Sequence, residues 1–159
     1  SVSKVSGEHL CKMYTDLFDL PTVIFRYFNV YGNRQPIRGQ YAPVIGIFMR
    51  QRDAEEKLTI VGDGEQRRDF VNVFDVVNAN IMAAISRPDP SAFGQVYNVG
   101  TGVNHSINQI ADMISLNSTH ISARAGEARE TLADIDKIRD TFGWEPNIKL
   151  EDWIGVNLK

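Results

Sequence analysis

The sequence predicts a single soluble α/β domain, and three observations lead to this prediction. Its 159 residues, of which 43% are hydrophobic, are enough to bury a sizeable core. Runs of β-branched and aromatic residues alternate along the chain with segments of helical periodicity. The lone Cys11 cannot close an internal disulfide, which is typical of the reducing cytosol, so we expect a cytoplasmic location.

Charge and hydropathy exclude two further classes of protein. The 17 basic and 20 acidic residues leave a net charge of −3, which argues against a nucleic-acid partner. The longest apolar stretch, residues 41–49, is shorter than the roughly 18 residues that suggest a membrane helix. Ser1 opens directly into a helical pattern, so no signal peptide is expected.

The first half of the chain is predicted to alternate helix, strand, loop and helix. Apolar or long side chains recur at helical spacing from Val2, and the residues around Pro21 end this first helix near Leu17. A strand follows over 22–28, then a polar loop over 33–40 and a helix over 44–56. The next strand, 58–61, ends at the turn signal Gly62-Asp63-Gly64.

The second half repeats strands and helices at short intervals. A strand is predicted over 69–73, and Asp75 is expected to cap a helix that reaches residue 85. A strand over 95–99 precedes a helix from 107 to 114 capped by Ser106, and another strand is expected over 120–123. Two helices complete the chain, one over 134–141 that stops at Gly143 and one from 150 onward.

Several kinds of active site lack their signature. The three histidines, His9, His105 and His120, are far apart, so they are interpreted as surface or packing residues and no metal is expected. The sequence contains neither a Gly-x-Ser-x-Gly elbow nor a Gly-x-Gly-x-x-Gly dinucleotide fingerprint.

Four segments nevertheless resemble, in order, the motifs of the extended short-chain dehydrogenases/reductases, the nucleotide-sugar epimerase and dehydratase family. The segments are Ser1-Val2-Ser3-Lys4 with Gly7-Glu8; residues 26–35; Gly62-Asp63-Gly64 with Arg68-Asp69-Phe70-Val71 and Asp75; and Arg124-Ala125-Gly126-Glu127 with Asp134, Gly143-Trp144 and Pro146. The resemblance implies the C-terminal part of a doubly wound, Rossmann-like parallel sheet plus a small α/β substrate-binding lobe. Residues 1–35 would end the Rossmann part, and residues 36–159 would form mostly the lobe, with returning sheet elements.

The resemblance implies NAD as cofactor and Lys4 as a catalytic residue. The family's Tyr-x-x-x-Lys motif would place its Tyr immediately before Ser1, where the Lys4 ammonium could lower the phenol pKa from about 10. In the family the Lys also binds the nicotinamide ribose, and the backbone around Tyr27 and Phe28 holds the nicotinamide. The alternatives are a surface pair of Lys4 with Glu8 and core packing of the two aromatic residues.

The resemblance also implies a UDP-sugar site. Arg68 and Arg124 would clamp the diphosphate and Asn29 would reach a phosphate, because guanidinium and amide groups bind phosphate oxygens. The other implied substrate contacts are Pro43 and Val44 around the nucleotide; Thr59, Ile60 and Val61 at the uracil; Glu127 at the ribose; and Thr131 at the sugar 2-position. Ordinary core, turn or surface roles are the alternatives for these residues, and Arg67 is interpreted as a solvated charge on the opposite face of its strand.

The favoured reaction is 4-epimerisation of a UDP-hexose, in which hydride passes to NAD and returns to the other face of a transient 4-keto sugar. The small Thr131 suggests tolerance of N-acetylated sugars. A related 4,6-dehydratase, a UDP-glucuronate decarboxylase and a non-catalytic sugar-nucleotide-binding fragment remain alternatives. The complete enzyme is expected to be a homodimer, and this chain alone is expected to be inactive without the Tyr and the glycine-rich loop.

Overall fold

A computed structural model describes residues 2–39, 42–124 and 126–158. The motif residues Ser1 and Ala125 and the loop residue Gln40 therefore lie outside the described residues. The helices are α1 (Val2–Phe18), α2 (Val44–Asp53), α3 (Val73–Ile85), α4 (Ile107–Ile114), α5 (Asp136–Phe142) and α6 (Leu150–Asn157), with a 3₁₀ turn at Pro90–Ala92. The strands are β1 (Val23–Tyr27), β2 (Asn29–Tyr31), β3 (Leu58–Val61), β4 (Arg67–Asn72), β5 (Gln95–Val99), β6 (Asn104–Ser106) and β7 (Ser118–Ile121).

Parallel pairing dominates the strand arrangement. β1 pairs with β5, β2 with β4, and β3 with β7, all in parallel, whereas β6 pairs antiparallel with β4. Each parallel pair joins strands that are distant in sequence and needs helical crossovers between them. The α/β class predicted from the alternation of patterns is confirmed.

Two hydrophobic clusters hold these elements together. One packs α2, β3, α4 and α6 around residues such as Phe48, Leu58 and Ile110. The other packs β5, α3 and α5 around Tyr97 and Trp144, and the Trp144 indole donates to the carbonyl of Asp75 at 3.0 Å. The candidate functional site lies against the first cluster, and the second cluster forms the neighbouring part of the core.

The first helix lies on the surface, and none of its described residues is buried. It ends at Phe18, one residue after the predicted end. The carboxylate of Glu8 accepts two bonds from the Arg26 guanidinium on β1, at 2.8 and 2.7 Å. The alternative interpretation of Glu8 as the partner of Lys4 is wrong, because Glu8 pairs with Arg26 and no ion pair between Lys4 and Glu8 is present among the described residues.

The strand predicted over 22–28 is β1, and the short strand β2 that follows it was not predicted. β1 ends at Tyr27, and the chain then crosses at Phe28, whose N–H donates to the Val99 carbonyl at 3.0 Å. β2 begins at the next residue and pairs with β4 instead of β5. Sequence patterns do not reveal this change of partner, because both strands are apolar and continuous along the chain.

Three further predictions about these elements are wrong. The side chain of Asn72, not of Asp75, caps α3 by accepting from the Phe74 N–H at 3.0 Å. The buried Asp75 carboxylate instead accepts the N–H groups of Asn147 and Ile148, both at 3.1 Å. The strand predicted over 120–123 lies two residues earlier as β7, and the short strand β6 was not predicted.

The third wrong prediction is that Arg67 is a solvated charge. Its guanidinium is half-buried and donates to the side chain and the carbonyl of Asn104, at 2.7 and 2.8 Å. It thus joins β4 to β6 and is not a solvated surface charge.

Among the described residues, no helix is both long and apolar enough to cross a membrane.

Candidate functional site

A cavity of about 340 Å³ opens over β3 and β4, beside the start of α2. It brings together predicted substrate contacts that are up to about a hundred residues apart in sequence. These are Asn29, Pro43, Val44, Thr59, Val61, Arg68, Arg124 and Glu127. Its volume lies within the range of about 300–1,000 Å³ that is usual for small-molecule sites.

The alternation of β3 decides which of its side chains can face a ligand. Leu58 and Ile60 are buried in the core, whereas Thr59 and Val61 line the cavity. The Gln51 amide fixes Thr59 from behind: its Nε2 donates to the Thr59 hydroxyl at 2.9 Å, and its Oε1 accepts the Thr59 N–H at 3.1 Å. Ile60 can therefore contribute backbone but not side chain to this cavity.

Two guanidinium groups face the cavity from different elements. Arg68 lies on β4, half-buried, and donates to the neighbouring Arg67 carbonyl at 2.8 Å. Arg124 is exposed on the segment that follows β7. Within residues 2–39, 42–124 and 126–158, neither guanidinium has a carboxylate partner. The cavity thus offers two guanidinium groups that no described carboxylate engages, with the Glu127 carboxylate also in its lining, and the two groups suit a ligand with paired anionic oxygens.

Asn29 stands where β2 begins, and its amide is already engaged. Nδ2 donates to the Asp69 carbonyl at 2.8 Å, which fixes the side chain against β4. One donor hydrogen and the carbonyl oxygen of the amide remain for a ligand. Pro43 precedes α2 in extended conformation and, with Val44, forms an apolar edge of the cavity.

Residues that were not predicted as substrate contacts complete the walls of the cavity. Phe70, Ile107 and Ile121 supply apolar surface, and the buried Gln66 donates from Nε2 to the Val61 carbonyl at 3.0 Å. A second cavity of about 270 Å³ adjoins the first, and Gln66 lines both. In the sequence, the only sign of a role for Gln66 is its position directly before the two arginines that begin β4.

The remaining predicted residues lie outside both cavities. Lys4 is exposed on α1, and the Tyr27 hydroxyl, on a side chain that is 48% exposed, donates to Asn80 at 3.0 Å. Thr131 is partly buried; its N–H donates to the Arg67 carbonyl at 3.1 Å, and its hydroxyl has no partner among the described residues. The exposure of Tyr27 argues against the alternative that it is a core aromatic residue.

The residues that the resemblance implies at the nicotinamide fit that role in part. The Lys4 ammonium forms no ion pair within the described residues and is free to bind a ribose hydroxyl. The Phe28 N–H is already bonded to the Val99 carbonyl, so it is not available to a cofactor amide at this crossing of the chain. These residues could hold one side of the cofactor.

The comparisons with known proteins agree with this geometry. The NAD dependent epimerase/dehydratase family matches residues 1–100. A UDP-glucose 4-epimerase of Mycolicibacterium smegmatis is 34% identical over 165 residues, which cover 100% of this chain and 51% of that protein. The crystal structure of Thermotoga maritima UDP-glucose 4-epimerase with UDP-glucose has a TM-score of 0.90 at 31% identity and covers 99% of this chain and 51% of that chain.

A third relative contains the cofactor. The crystal structure of Bacillus cereus UDP-glucuronic acid 4-epimerase in complex with UDP-glucuronic acid and NAD has a TM-score of 0.85 at 33% identity, covering 97% of this chain and 49% of that chain. This chain therefore spans about half the length of the relatives that it matches. The likenesses confirm the predicted fold class, part of a doubly wound, Rossmann-like sheet, and the predicted cofactor, NAD. The chain belongs to the NAD-dependent epimerase/dehydratase family.

Proposed function

We propose that this chain is the nucleotide-sugar-binding part of an NAD-dependent UDP-hexose 4-epimerase. The observation that carries the proposal is the cavity over β3 and β4, which Arg68 and Arg124 both line and where neither forms an ion pair with a described carboxylate. A diphosphate presents paired anionic oxygens that two guanidinium groups can hold. Thr59, Val61 and Val44 offer the apolar and backbone surface that a pyrimidine base requires.

The site residues would hold the nucleotide part of the substrate and leave its sugar free, and this supports epimerisation. Arg68 and Arg124 would hold the diphosphate, and Glu127 would accept hydrogen bonds from the ribose hydroxyls. Fixing the nucleotide leaves the hexose free to turn about its diphosphate between two hydride transfers. NAD, when bound, supplies the acceptance and return of that hydride. Lys4 would bind the cofactor ribose and lower the pKa of a phenol four residues earlier on the same helix face.

Binding of UDP tests the proposal directly. Isothermal titration calorimetry should show that UDP binds the protein, and that Arg68→Ala or Arg124→Ala weakens binding by about ten- to a hundredfold, the effect of a lost charge-assisted hydrogen bond. Arg87→Ala is the matched control, because Arg87 is exposed and outside the cavity lining. Absence of UDP binding, or binding by both cavity variants that is as tight as that of the unsubstituted protein, would overturn the proposal.

We expect the 159-residue chain to bind UDP-glucose without converting it to UDP-galactose when NAD is added. The glycine-rich loop and the Tyr of the family motif are not among its residues. Conversion by this chain would contradict the expectation, whereas binding without turnover supports it.

In the complete enzyme, the exposed apolar residues of α1 would form a homodimer interface. The lone Cys11 favours a cytoplasmic location.

Tolerance of N-acetylated sugars is the finer part of the proposal and rests on Thr131. A small side chain there leaves room at the sugar 2-position, and a Tyr would close it. In the complete enzyme, Thr131→Tyr should abolish turnover of UDP-N-acetylglucosamine while retaining most of the turnover of UDP-glucose. Exclusion of the N-acetylated substrate by the unsubstituted enzyme would contradict this part alone.

A further inference from the structure

We propose that Arg129 and Asp63 form a latch that positions Arg124 and Glu127 for the nucleotide. Both are positioning residues: they act through the chain segment that carries Arg124 and Glu127. The inference rests on the proposed function, because the latch is defined by what it does for UDP. The argument concerns the second, 270 Å³ cavity, which shares Arg124 and Glu127 with the first.

Arg124 and Glu127 lie on a segment that is attached to the body mainly at its ends. At its start, β7 pairs with β3 through Ile121, whose carbonyl accepts the Gly62 N–H at 2.9 Å. Residues 122–124 and 126–128 are exposed and make no hydrogen bond with any other described residue. The positions of Arg124 and Glu127 therefore depend on how the segment is held at its far end.

The backbone of the far end is held on β4: the Arg67 N–H donates to the Arg129 carbonyl at 2.9 Å, and the Thr131 N–H donates to the Arg67 carbonyl at 3.1 Å. The side chain of Arg129 adds a second attachment. Its guanidinium reaches the opposite way: Nη1 donates to both carboxylate oxygens of Asp63, at 2.8 and 2.9 Å. One residue thus connects β4, the segment and the turn after β3, which are three walls of the paired cavities.

Asp63 is a rigid anchor for this contact. Its Oδ1 also accepts the Glu65 N–H at 3.0 Å, and its carbonyl accepts Nδ2 of Asn108, on α4, at 3.0 Å. Gly64, beside it, has a positive φ of 75° and is packed against the Asn108 side chain, so the turn has little freedom. The Arg129–Asp63 pair therefore holds the segment in a fixed position relative to the turn.

A segment that is already in place loses less conformational freedom when the nucleotide binds, and this is how the latch would raise affinity. The two side chains are exposed, 65% for Arg129 and 58% for Asp63, so water and salt weaken their attraction. We therefore expect an effect of about fivefold on UDP affinity, at the upper end for an exposed ion pair.

The test uses Asp63→Asn, Arg129→Gln and the double variant, with UDP as ligand in isothermal titration calorimetry. Asp63→Asn can keep the oxygen that accepts the Glu65 N–H, and it replaces the second acceptor of the Arg129 guanidinium with an uncharged NH2 donor. Each single variant should raise the Kd about fivefold, and the double variant should raise it no further, because one interaction has been removed in all three. Arg139→Gln, which breaks the exposed Asp136–Arg139 pair on α5, is the matched control and should bind like the parent.

A direct contact between Arg129 and the phosphates gives a different pattern: Arg129→Gln weakens binding, and Asp63→Asn does not. That result would overturn the latch, as would unchanged binding by both variants. A second measurement needs no ligand. Trypsin should cleave after Arg124 faster in Asp63→Asn than in the parent, and equal rates would also overturn the latch. If the parent fails to bind UDP, the proposed function is wrong, and the cleavage rates still decide whether the pair holds the segment.

Discussion

Replacement of Asp69 by Ala should cost this domain a large part of its stability. Asp69 is fully buried on β4, next to Arg68 but on the other face of the strand. Its Oδ1 accepts the N–H and the hydroxyl of Thr101, both at 2.8 Å. Its Oδ2 accepts the N–H groups of Gly102 at 2.9 Å and Ala133 at 3.1 Å. One carboxylate therefore ties β4 to the turn after β5 and to the chain that follows Thr131.

The magnitude follows from the groups left behind. Asp69→Ala leaves four donors without their acceptor, and a net hydrogen bond to a charged group contributes about 1.5–3 kcal/mol. The Thr101 and Gly102 donors are only part-buried and can turn to water, whereas the Ala133 N–H is buried. We expect a loss of about 3–5 kcal/mol, the penalty for the buried Ala133 donor together with smaller penalties for the three donors that can reach water, out of a total stability of about 5–15 kcal/mol.

Urea denaturation followed by circular dichroism measures this loss as a lower midpoint at an unchanged slope. Asp69→Asn should fall between the parent and Asp69→Ala, because the amide keeps one acceptor and turns a donor toward Gly102 and Ala133. Asp112→Ala, at an exposed position of α4, is the control and should change stability by no more than about 0.5 kcal/mol. A loss below about 1 kcal/mol for Asp69→Ala would refute the reasoning.

Two further predictions concern local geometry and pH. Gly64→Ala should destabilise the domain by about 2 kcal/mol in thermal unfolding, since φ is +75° and a Cβ would meet the Asn108 side chain. Gly155→Ala, on α6 with nothing within 4 Å, should be neutral or stabilising, and equal effects of the two would contradict the argument. The Arg26 guanidinium holds the pKa of Glu8 below its usual value of 4.5, so the pair stabilises the fold above that pH and its contribution is lost as pH falls. The urea midpoints of the parent and Arg26→Gln should therefore differ at pH 7 and converge toward pH 3, and a constant difference would contradict this.

The sequence alone located most of the secondary structure because its signals are local. The periodicity of α1, the Ser106 capping box of α4 and the left-handed Gly143 after α5 each depend on a few neighbouring residues, and each is present. The resemblance of short motifs to those of the family likewise pointed to Arg68 and Arg124, and guanidinium groups suit a diphosphate.

The tertiary structure decided which residues meet. Arg67 and Arg68 are identical in type and adjacent, yet one joins β4 to β6 and the other faces the cavity. Asn72 takes the capping role expected of Asp75, and the Asp75 carboxylate binds N–H groups near Ile148, more than seventy residues away. Strand partners, buried carboxylates and the Arg129–Asp63 contact all depend on such distant pairings, and no local pattern carries that information.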